Sequence, residues 1–388
     1  MERFDTVVVG AGPAGSTAAY RLAREGASVL LLDRARFPRD KPCGGGLTGR
    51  ALKHLPFSVG PVVEDEADRL ELRFRYRSSF ERRSSDPLVL LTQRRLLDAY
   101  LVEQAATAGA DFRDGVRVDA ISASEHGVEL TVAGRAIAAE TLIGADGANG
   151  VTGRALGLGA DIEHGVALEG NIRYDAADRA RYAGRLVCEL GVVPGGYGWV
   201  FPKRDHVNVG IGGWQSQGPR LRELLRRLCE AHGLPFERVE SLRGHRLPLR
   251  TPGTRLSLGR AALAGDAAGL VDPLSGDGMY EAFLSSNLVA SAVLDLLAGR
   301  TNSLDSYHDE LTRSLAGLTS ASWGLKIALD RFPRLTFALI RLPVTWPVVA
   351  RIMRGDLAEP GHARGPGRAP MRLLRAIAGP AGRQFRLS

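Results

Sequence analysis

The hydrophobic period changes twice within residues 5–34, DTVVVGAGPAGSTAAYRLAREGASVLLLDR. Thr6 to Val9 form a short β-branched run, which predicts a strand. A glycine turn follows, then a helical pattern through Glu25 that Gly26 stops. Val29 to Leu32 predict a second apolar strand, and Asp33 ends it. Together they make a βαβ unit within about 30 residues. Further along, RLELRFRYR alternates, with Leu70, Leu72, Phe74 and Tyr76 on one face, and predicts a strand. TQRRLLDAYLVEQAATAG reads as a helix ended by Gly109. GVRVDAISAS and GVELTVAG predict a strand pair, and ETLIGADG a strand entering a glycine turn. Several strands are expected across 165–215, among them YGWVFP and HVNVGIGG, and a helix over GPRLRELLRRLCEAHGL. RAALAGDAAG repeats the strand-then-glycine pattern before a long helix, GDGMYEAFLSSNLVASAVLDLLAG. The last 80 residues read as helical, punctuated by Pro333, Pro343 and Pro347, with GHARGPGRAP as a flexible linker.

Composition narrows the class. A chain of 388 residues is too long for one simple core, so two intertwined domains or a large insertion are expected. Forty-seven glycines point to tight turns or close approach to a ligand. Cys43, Cys188 and Cys229 are scattered and odd in number, which argues against a disulfide framework and fits a reducing cytoplasm. Three thiols are also too few for a four-cysteine iron–sulfur cluster. No signal peptide and no uncharged apolar run of about 18 residues is evident, so no transmembrane helix is expected. The formal net charge is +8, and residues 331–388 hold eleven arginines against Asp356 and Glu359, which accounts for the whole excess. The rest of the chain is near neutral, against a nucleic-acid footprint. No metal site is expected.

Gly10, Gly12 and Gly15 form G-x-G-x-x-G between the first strand and the helix. The first glycine permits the tight turn, the second lets a pyrophosphate approach the backbone, and the third lets helix and strand pack closely. The anion then sits on the helix N-terminus. Asp33, at the end of the second strand, is placed to accept from ribose hydroxyls. The dinucleotide's identity stays open at this point.

Two later motifs, IGADGAN at 143–149 and LAGDAAGLVDPLSGDGM at 263–279, place an aspartate after a small-residue strand. With them the chain resembles the FAD-dependent oxidoreductases of the para-hydroxybenzoate hydroxylase fold. FPRDKPCGGGLTGRAL and PGGYGWVFPKRDHVNVGIGG narrow this to a resemblance to the geranylgeranyl reductase family, whose members saturate isoprenoid double bonds. That family's P-C-G-x-G-L pattern matches Pro42, Cys43, Gly44, Gly46 and Leu47. Its Y-x-W-x-F-P pattern matches Tyr197, Trp199, Phe201 and Pro202, and P-L-x-G-x-G matches Pro273, Leu274, Gly276 and Gly278. The likeness runs from residue 4 to about 300. Two departures stand out: Asp277 where glutamate is common, and Gly150 where serine is usual.

The resemblance implies an α/β fold: a Rossmann-type FAD-binding domain with an inserted antiparallel β-sheet substrate domain and a helical C-terminal region. The expected division is 1–50, 86–160 and 255–300 for FAD, 51–85 and 161–254 for substrate, and 301–388 for a basic helical region. It implies FAD as cofactor, with Asp266 on the ribityl chain, Gly276 to Met279 opening a helix toward the flavin, Arg94 beside the cofactor and the Val118 backbone at the adenine. The full expected cofactor set is Gly10, Gly12, Ala14, Gly15, Asp33, Arg34, Cys43, Gly44, Gly46, Arg94, Val118, Asp146, Asp266, Gly276, Gly278 and Met279. No second G-x-G-x-x-G with its own strand and acid occurs, so electrons are expected from an external donor, NAD(P)H or reduced ferredoxin.

Tyr197, Trp199 and Phe201 alternate and so share one face of a strand. Three rings make a flat apolar wall suited to a polyprenyl chain. The neighbouring Gly195, Gly196 and Gly198 favour a wall facing a cavity over a packed core. Tyr197, Trp199, Phe201 and Pro202 are therefore the expected substrate residues. Saturating an isolated alkene needs an acid near one carbon; Cys43, Tyr197 and an ordered water are the candidates. The expected substrate is an isoprenoid lipid: a geranylgeranyl lipid, a prenyl diphosphate or a menaquinone side chain. Alternatives are a flavin monooxygenase or halogenase of the same fold, and an electron carrier to quinone. FALIRLPVTWPVVARIM mixes apolar residues, Trp346 and arginines as interfacial segments do, so contact with an anionic membrane on its cytoplasmic face is expected.

Overall fold

The computed structural model describes residues 1–159, 162–174 and 176–357. The expected linker GHARGPGRAP and most of the basic tail lie outside them.

The N-terminal unit is β1 (Glu2–Val9), α1 (Pro13–Arg24) and β2 (Val29–Leu32), with β1 and β2 parallel from Thr6↔Val29 to Val9↔Leu32. A parallel pair needs a crossover, which α1 supplies. Val7, Val8, Leu30 and Leu31 are fully buried in one core with α1 and with Val128, Leu130 and Val132. The eight-stranded sheet runs Ser257–Leu258, Ala261–Leu263, Arg135–Gly144, β1, β2, Asp111–Arg113. The predicted pair Val118–Ser124 and Gly127–Val132 branches antiparallel from Arg135–Gly144. α1 packs on Met279–Leu297 and on Arg94–Thr107. Its close approach to β1 needs Gly15, where a Cβ would lie 1.8 Å from the Gly10 carbonyl oxygen. Gly10 itself sits at φ +102.

The second sheet has seven strands, in the order Glu240–Leu249, Glu163–Arg173, His206–Trp214, Tyr197–Pro202, Arg185–Leu190, Arg69–Phe74, Ser78–Arg83. It is antiparallel except for one pair: Arg185–Leu190 runs parallel to Arg69–Phe74. Helix Leu221–His232 covers one face with Leu224, Leu225 and Leu228 and stops at Gly233, left-handed at φ 67. The other face looks into a cavity. A third, three-stranded sheet (Gly46–Thr48, Asp65–Ala67, Val89–Leu91) joins segments from both regions and was not foreseen.

One expectation changes. Tyr76 does not continue the face of Leu70 and Leu72: the strand ends at Phe74, and Arg75 and Tyr76 turn the hairpin at φ 51 and 59. The segment read as interfacial folds into Pro333–Arg341 and Trp346–Arg354, bent by 77° at the break. Among the described residues no single helix is long and apolar enough to cross a membrane. Phe337, Val348 and Ala350 turn inward, whereas Phe332, Leu335, Leu342 and Val344 are 40–49% exposed.

Candidate active site

One cavity of about 970 Å³ runs between the two large sheets, from Gly10 at the tip of β1 to Met353 in the last described helix. Its dinucleotide end is built by the β1–α1 turn. The Asp33 carboxylate accepts from the Ala11 and Ala35 amides at 2.9 and 2.8 Å, which fixes the turn in front of α1. Around Gly12 lie two guanidiniums: a Cβ there would meet only Arg39 Nη2 at 3.4 Å and Arg94 Nη2 at 3.7 Å. Both arginines are held by Asp98, Arg94 bidentately at 2.7 and 2.8 Å and Arg39 at 2.8 Å. A fully buried aspartate thus aims two cations at a helix N-terminus, where an anion is favoured. Arg34 and Val118 line the same end.

Asp146 also lines the cavity. Its Oδ2 accepts from the Val151 and Thr152 amides and the Thr152 hydroxyl at 2.6, 3.0 and 2.9 Å. Its Oδ1 is buried against Gly150 and has no hydrogen-bond partner in the protein. The departure at Gly150 is explained here, because a Cβ would lie 2.2 Å from the Asp146 carboxyl carbon.

The loop 41–46 crosses the middle of the cavity and is held from several sides. Lys41 Nζ donates to Asp266 at 2.7 Å. Burial alone would raise the Asp266 carboxyl, but Lys41 and His245 hold it well below the usual range. The Cys43 amide donates to Glu169 Oε1 at 2.6 Å, and Lys203 Nζ to the Gly44 carbonyl at 2.7 Å. The glycines answer to the protein's own atoms. A Cβ at Gly44 would sit 2.9 Å from the Phe201 ring, and one at Gly45 (φ +69) would sit 1.9 Å from the Thr92 carbonyl. Burial pushes the Cys43 thiol up. Beyond the loop, Gly276 is left-handed at φ 66 and Gly278 caps Met279–Leu297, whose first amide donates to Asp277 Oδ1 at 2.9 Å. Burial pushes Asp277 up to about 6.

The other end carries the aromatic wall. Tyr197, Trp199 and Phe201 face the cavity with centroid spacings of 6.1 and 6.4 Å. Gly198, Val200 and Pro202 are buried on the opposite face of the strand. Pro202 therefore does not line the cavity, a consequence of the two-residue period that sequence matching overlooked. The glycine argument holds in part, since Gly195 and Gly196 line the cavity and Gly198 does not. Gly198 packs on Leu228 behind the sheet, and Gly195 makes room for the Trp214 indole. The glycine that serves the wall is Gly210, where a Cβ would lie 2.1 Å from Trp199 Cζ2. The Tyr197 hydroxyl donates to the Ser275 carbonyl at 2.5 Å, and burial raises it well above its ordinary value. This bond ties Tyr197 to the 273–278 loop. Leu186, Leu70 and Leu72 continue the same face of the sheet on the next two strands, and the C-terminal helices close the cavity with Leu325, Ile340 and Val349.

Sequence reasoning missed Arg39, Lys41, Asp98, Glu169 and Lys203. Arg39, Lys41, Glu169 and Lys203 act through partners distant in sequence, which no local pattern marks, whereas Asp98 is an i,i+4 partner of Arg94 on one helix and could have been found by that spacing. Among the described residues no group of three His, Cys, Asp or Glu side chains is placed to hold a metal ion.

This geometry, a dinucleotide fingerprint opening into an apolar second chamber, is that of a flavoprotein oxidoreductase. The FAD binding domain family matches residues 3–322. A menaquinone reductase of Mycobacterium tuberculosis is 32% identical over 370 residues, covering 89% of this chain and 87% of that one. A geranylgeranyl diphosphate reductase of Synechocystis is 31% identical and covers 74% of each chain. The crystal structure of a geranylgeranyl bacteriochlorophyll reductase-like protein from Thermoplasma acidophilum superposes with a TM-score of 0.81 over all of both chains at 22% identity. The chain belongs to the FAD binding domain family and, within it, to the geranylgeranyl reductases. It is an FAD-dependent oxidoreductase.

Proposed function

We propose that the protein saturates carbon–carbon double bonds of an isoprenoid chain, the side chain of a quinone such as menaquinone being the favoured substrate. The observation that carries this reading is the apolar limb of the cavity. Its ionisable residues Lys326 and Asp330 are tied to the Gly195 carbonyl and amide, respectively, which leaves that limb suited to hydrocarbon rather than to a diphosphate. The menaquinone reductase relative covers almost the whole chain and supports the same choice.

In this reading residues 1–50, 86–160 and 255–300 hold FAD, and 51–85 with 161–254 form the substrate wall. Gly10 to Gly15, with Ala14 in the first turn, would hold the pyrophosphate together with Arg39 and Arg94. Asp33 and Arg34 would serve the ribose side and Val118 the adenine, with Asp146 in the turn that borders the cofactor. Lys41 orients Asp266 toward the ribityl chain, and Cys43, Gly44, Gly46, Gly276, Gly278 and Met279 border the ring. Reduced FAD supplies a hydride to one alkene carbon. The chain's own residues orient the alkene against Trp199 and Phe201, exclude water, and hold the proton for the second carbon. Cys43 stays a thiol at neutral pH because burial raises it.

The halogenase alternative needs a free catalytic lysine. The four lysines of the sequence are engaged: Lys41 with Asp266, Lys53 with Asp356, Lys203 with Gly44, and Lys326 with Gly195. Electrons come from NAD(P)H or reduced ferredoxin. The exposed Phe332, Leu335, Leu342 and Val344, beside Arg334 and Arg341, suit an anionic membrane surface on the cytoplasmic side, where lipid would enter. The free cysteines agree with that compartment. The test is to incubate the FAD-loaded, dithionite-reduced protein anaerobically with menaquinone and read the lipid's mass. A gain of two hydrogens per reduced bond, located in the side chain, is expected; a side chain left unsaturated refutes the reading.

A further inference from the structure

Glu169 is a buried carboxyl without an assigned task. It projects from the strand Glu163–Arg173 into the cavity and is 9% exposed. In the sheet it pairs with Gly210, which pairs with Trp199. Directly opposed residues share a face, so carboxyl and indole stand on the same surface. Only the bare Gly210 lies between them, with the indole laid over it. From the other side the Cys43 amide donates to Glu169 Oε1 at 2.6 Å. The carboxyl thus sits where the cysteine loop meets the ring wall, beside the place where an alkene must lie.

The charged and titratable groups around it are few. Lys203, 2% exposed, follows the ring strand and holds the Gly44 carbonyl. Asp40 and Cys43 come from the loop. The edge strand brings Arg243, in register with Glu169 but paired to Asp40 at 3.1 Å, and His245, which faces Asp266 at 3.9 Å. Burial pushes Glu169 up to about 7 against the opposing pull of the Cys43 amide and Lys203. Lys203 itself is lowered to about 8 by burial.

We propose that Glu169 is the acid of this site, holding the proton that is placed on the alkene carbon. The inference rests on the reductase reading above. The Glu169 O–H bond breaks, and a C–H bond forms at the carbon that does not receive the hydride. The electron pair is the hydride from reduced flavin, and the carboxylate left behind is re-protonated from water. An acid that titrates near the working pH suits this task better than a phenol or thiol whose proton burial retains.

The test uses the FAD-loaded enzyme and its E169Q variant, which keeps an acceptor for the Cys43 amide. Two measurements are made. Infrared difference titration, without substrate, is expected to show a protonated-carboxyl band that vanishes as pH rises through about 7 and is absent from E169Q. Side-chain saturation of menaquinone is expected to fall across the same range in wild type, to drop about 10²- to 10⁴-fold at pH 6 in E169Q, and to lose its basic limb there. Added formic acid restores part of the rate. Should E169Q fail to retain FAD, Glu169→Asp is measured instead, with a displaced limb and band expected. If the variant keeps the wild-type rate and limb, or if the band survives in it and is lost in Asp277→Asn, the inference is overturned. A wild type that saturates no prenyl chain sinks the reductase reading instead, and the infrared titration then decides alone whether Glu169 carries the proton.

Discussion

Gly210→Ala tests whether the ring wall is set by the bare backbone beneath it. Gly210 lies in the strand His206–Trp214 and is not among the left-handed glycines, so alanine suits its backbone. The obstacle is the indole. A Cβ would stand 2.1, 2.4 and 2.6 Å from Trp199 Cζ2, Cε2 and Cη2. Carbon atoms attract at about 3.5 Å, so the ring must lift by more than 1 Å, roughly, over its whole six-membered edge. That movement strains the 2.7 Å hydrogen bond from Trp199 Nε1 to Asn208 Oδ1. Overpacking costs about 1–3 kcal/mol and the lost bond about 1 kcal/mol, so destabilisation of about 2–4 kcal/mol is expected. The ring is also pushed into the substrate limb, and kcat/KM for a prenyl substrate should fall at least tenfold, roughly 1.4 kcal/mol. Flavin content should be unchanged, because Gly210 is remote from the β1–α1 turn. Thermal unfolding, flavin-to-protein absorbance and steady-state kinetics read the three effects. Trp199→Phe combined with Gly210→Ala should recover part of the loss, as contacting residues are non-additive. An unchanged Tm and kcat/KM, or strict additivity in the double variant, would refute the reasoning.

Four further outcomes are expected. Asp98→Asn leaves Arg94, 5% exposed, without its counter-charge; removing one partner of a buried pair costs about 3–5 kcal/mol, read as a lower Tm and reduced flavin content. Gly150→Ser forces the Asp146 carboxylate from its three bonds and should cost about 1–3 kcal/mol, a loss that Asp146→Ala in the same chain partly removes. Glu169 is raised from 4.5 to about 7 by burial, so its stabilising contribution is full below pH 4.5 and is lost as pH rises through about 7. E169Q should therefore match wild type in Tm at acid pH and exceed it above pH 7, by up to about 3 kcal/mol at ~1.4 kcal/mol per pKa unit; no gain at high pH counts against a buried, proton-holding carboxyl. Leu335→Gln with Leu342→Gln should reduce flotation with anionic liposomes while leaving flavin content intact, and undiminished flotation would remove this apolar edge as the contact.

Much of the framework could be read from local periodicity. The βαβ unit, the strand pair after 118, the long helix from Met279 and the shared face of Tyr197, Trp199 and Phe201 all follow from spacing. What escaped was either polar or non-local. Glu240–Leu249 carries Glu240, Arg243, His245 and Arg246 on an edge and shows no alternation, although it pairs along most of Glu163–Arg173. Arg94 was found by motif, but the Asp98 that holds it and the Arg39 beside it were not. Lys41 and Asp266 are 225 residues apart, and Cys43 and Glu169 are 126 apart; only the folded topology brings such pairs together. Glycine was legible as a signal and misread in part as to cause, since the same missing side chain admits a ligand, an indole or a neighbouring carbonyl.

The loop 41–46 shows why those distant pairs matter. Lys41 is tied to the loop after the strand Ala261–Leu263, Cys43 to the strand Glu163–Arg173, Gly44 to the residue after the ring strand, and the Gly45 carbonyl accepts from Thr92 at 2.8 Å. These partners belong to both large sheets and to the segment between them. To lift the loop, the chain would leave Glu169 and Lys203 buried without partners, at about 1–3 kcal/mol for each such group and more when charged. A solvated cysteine loop could open freely; this one moves only if both sheets give way. The Cys43 amide therefore stays on the Glu169 carboxyl, and the ring wall keeps its distance from the Asp266 side of the cavity. The triglycine run is then less a soft approach to a ligand than a rigid seam, and stiffness at this seam is what the two chambers need to act on one alkene.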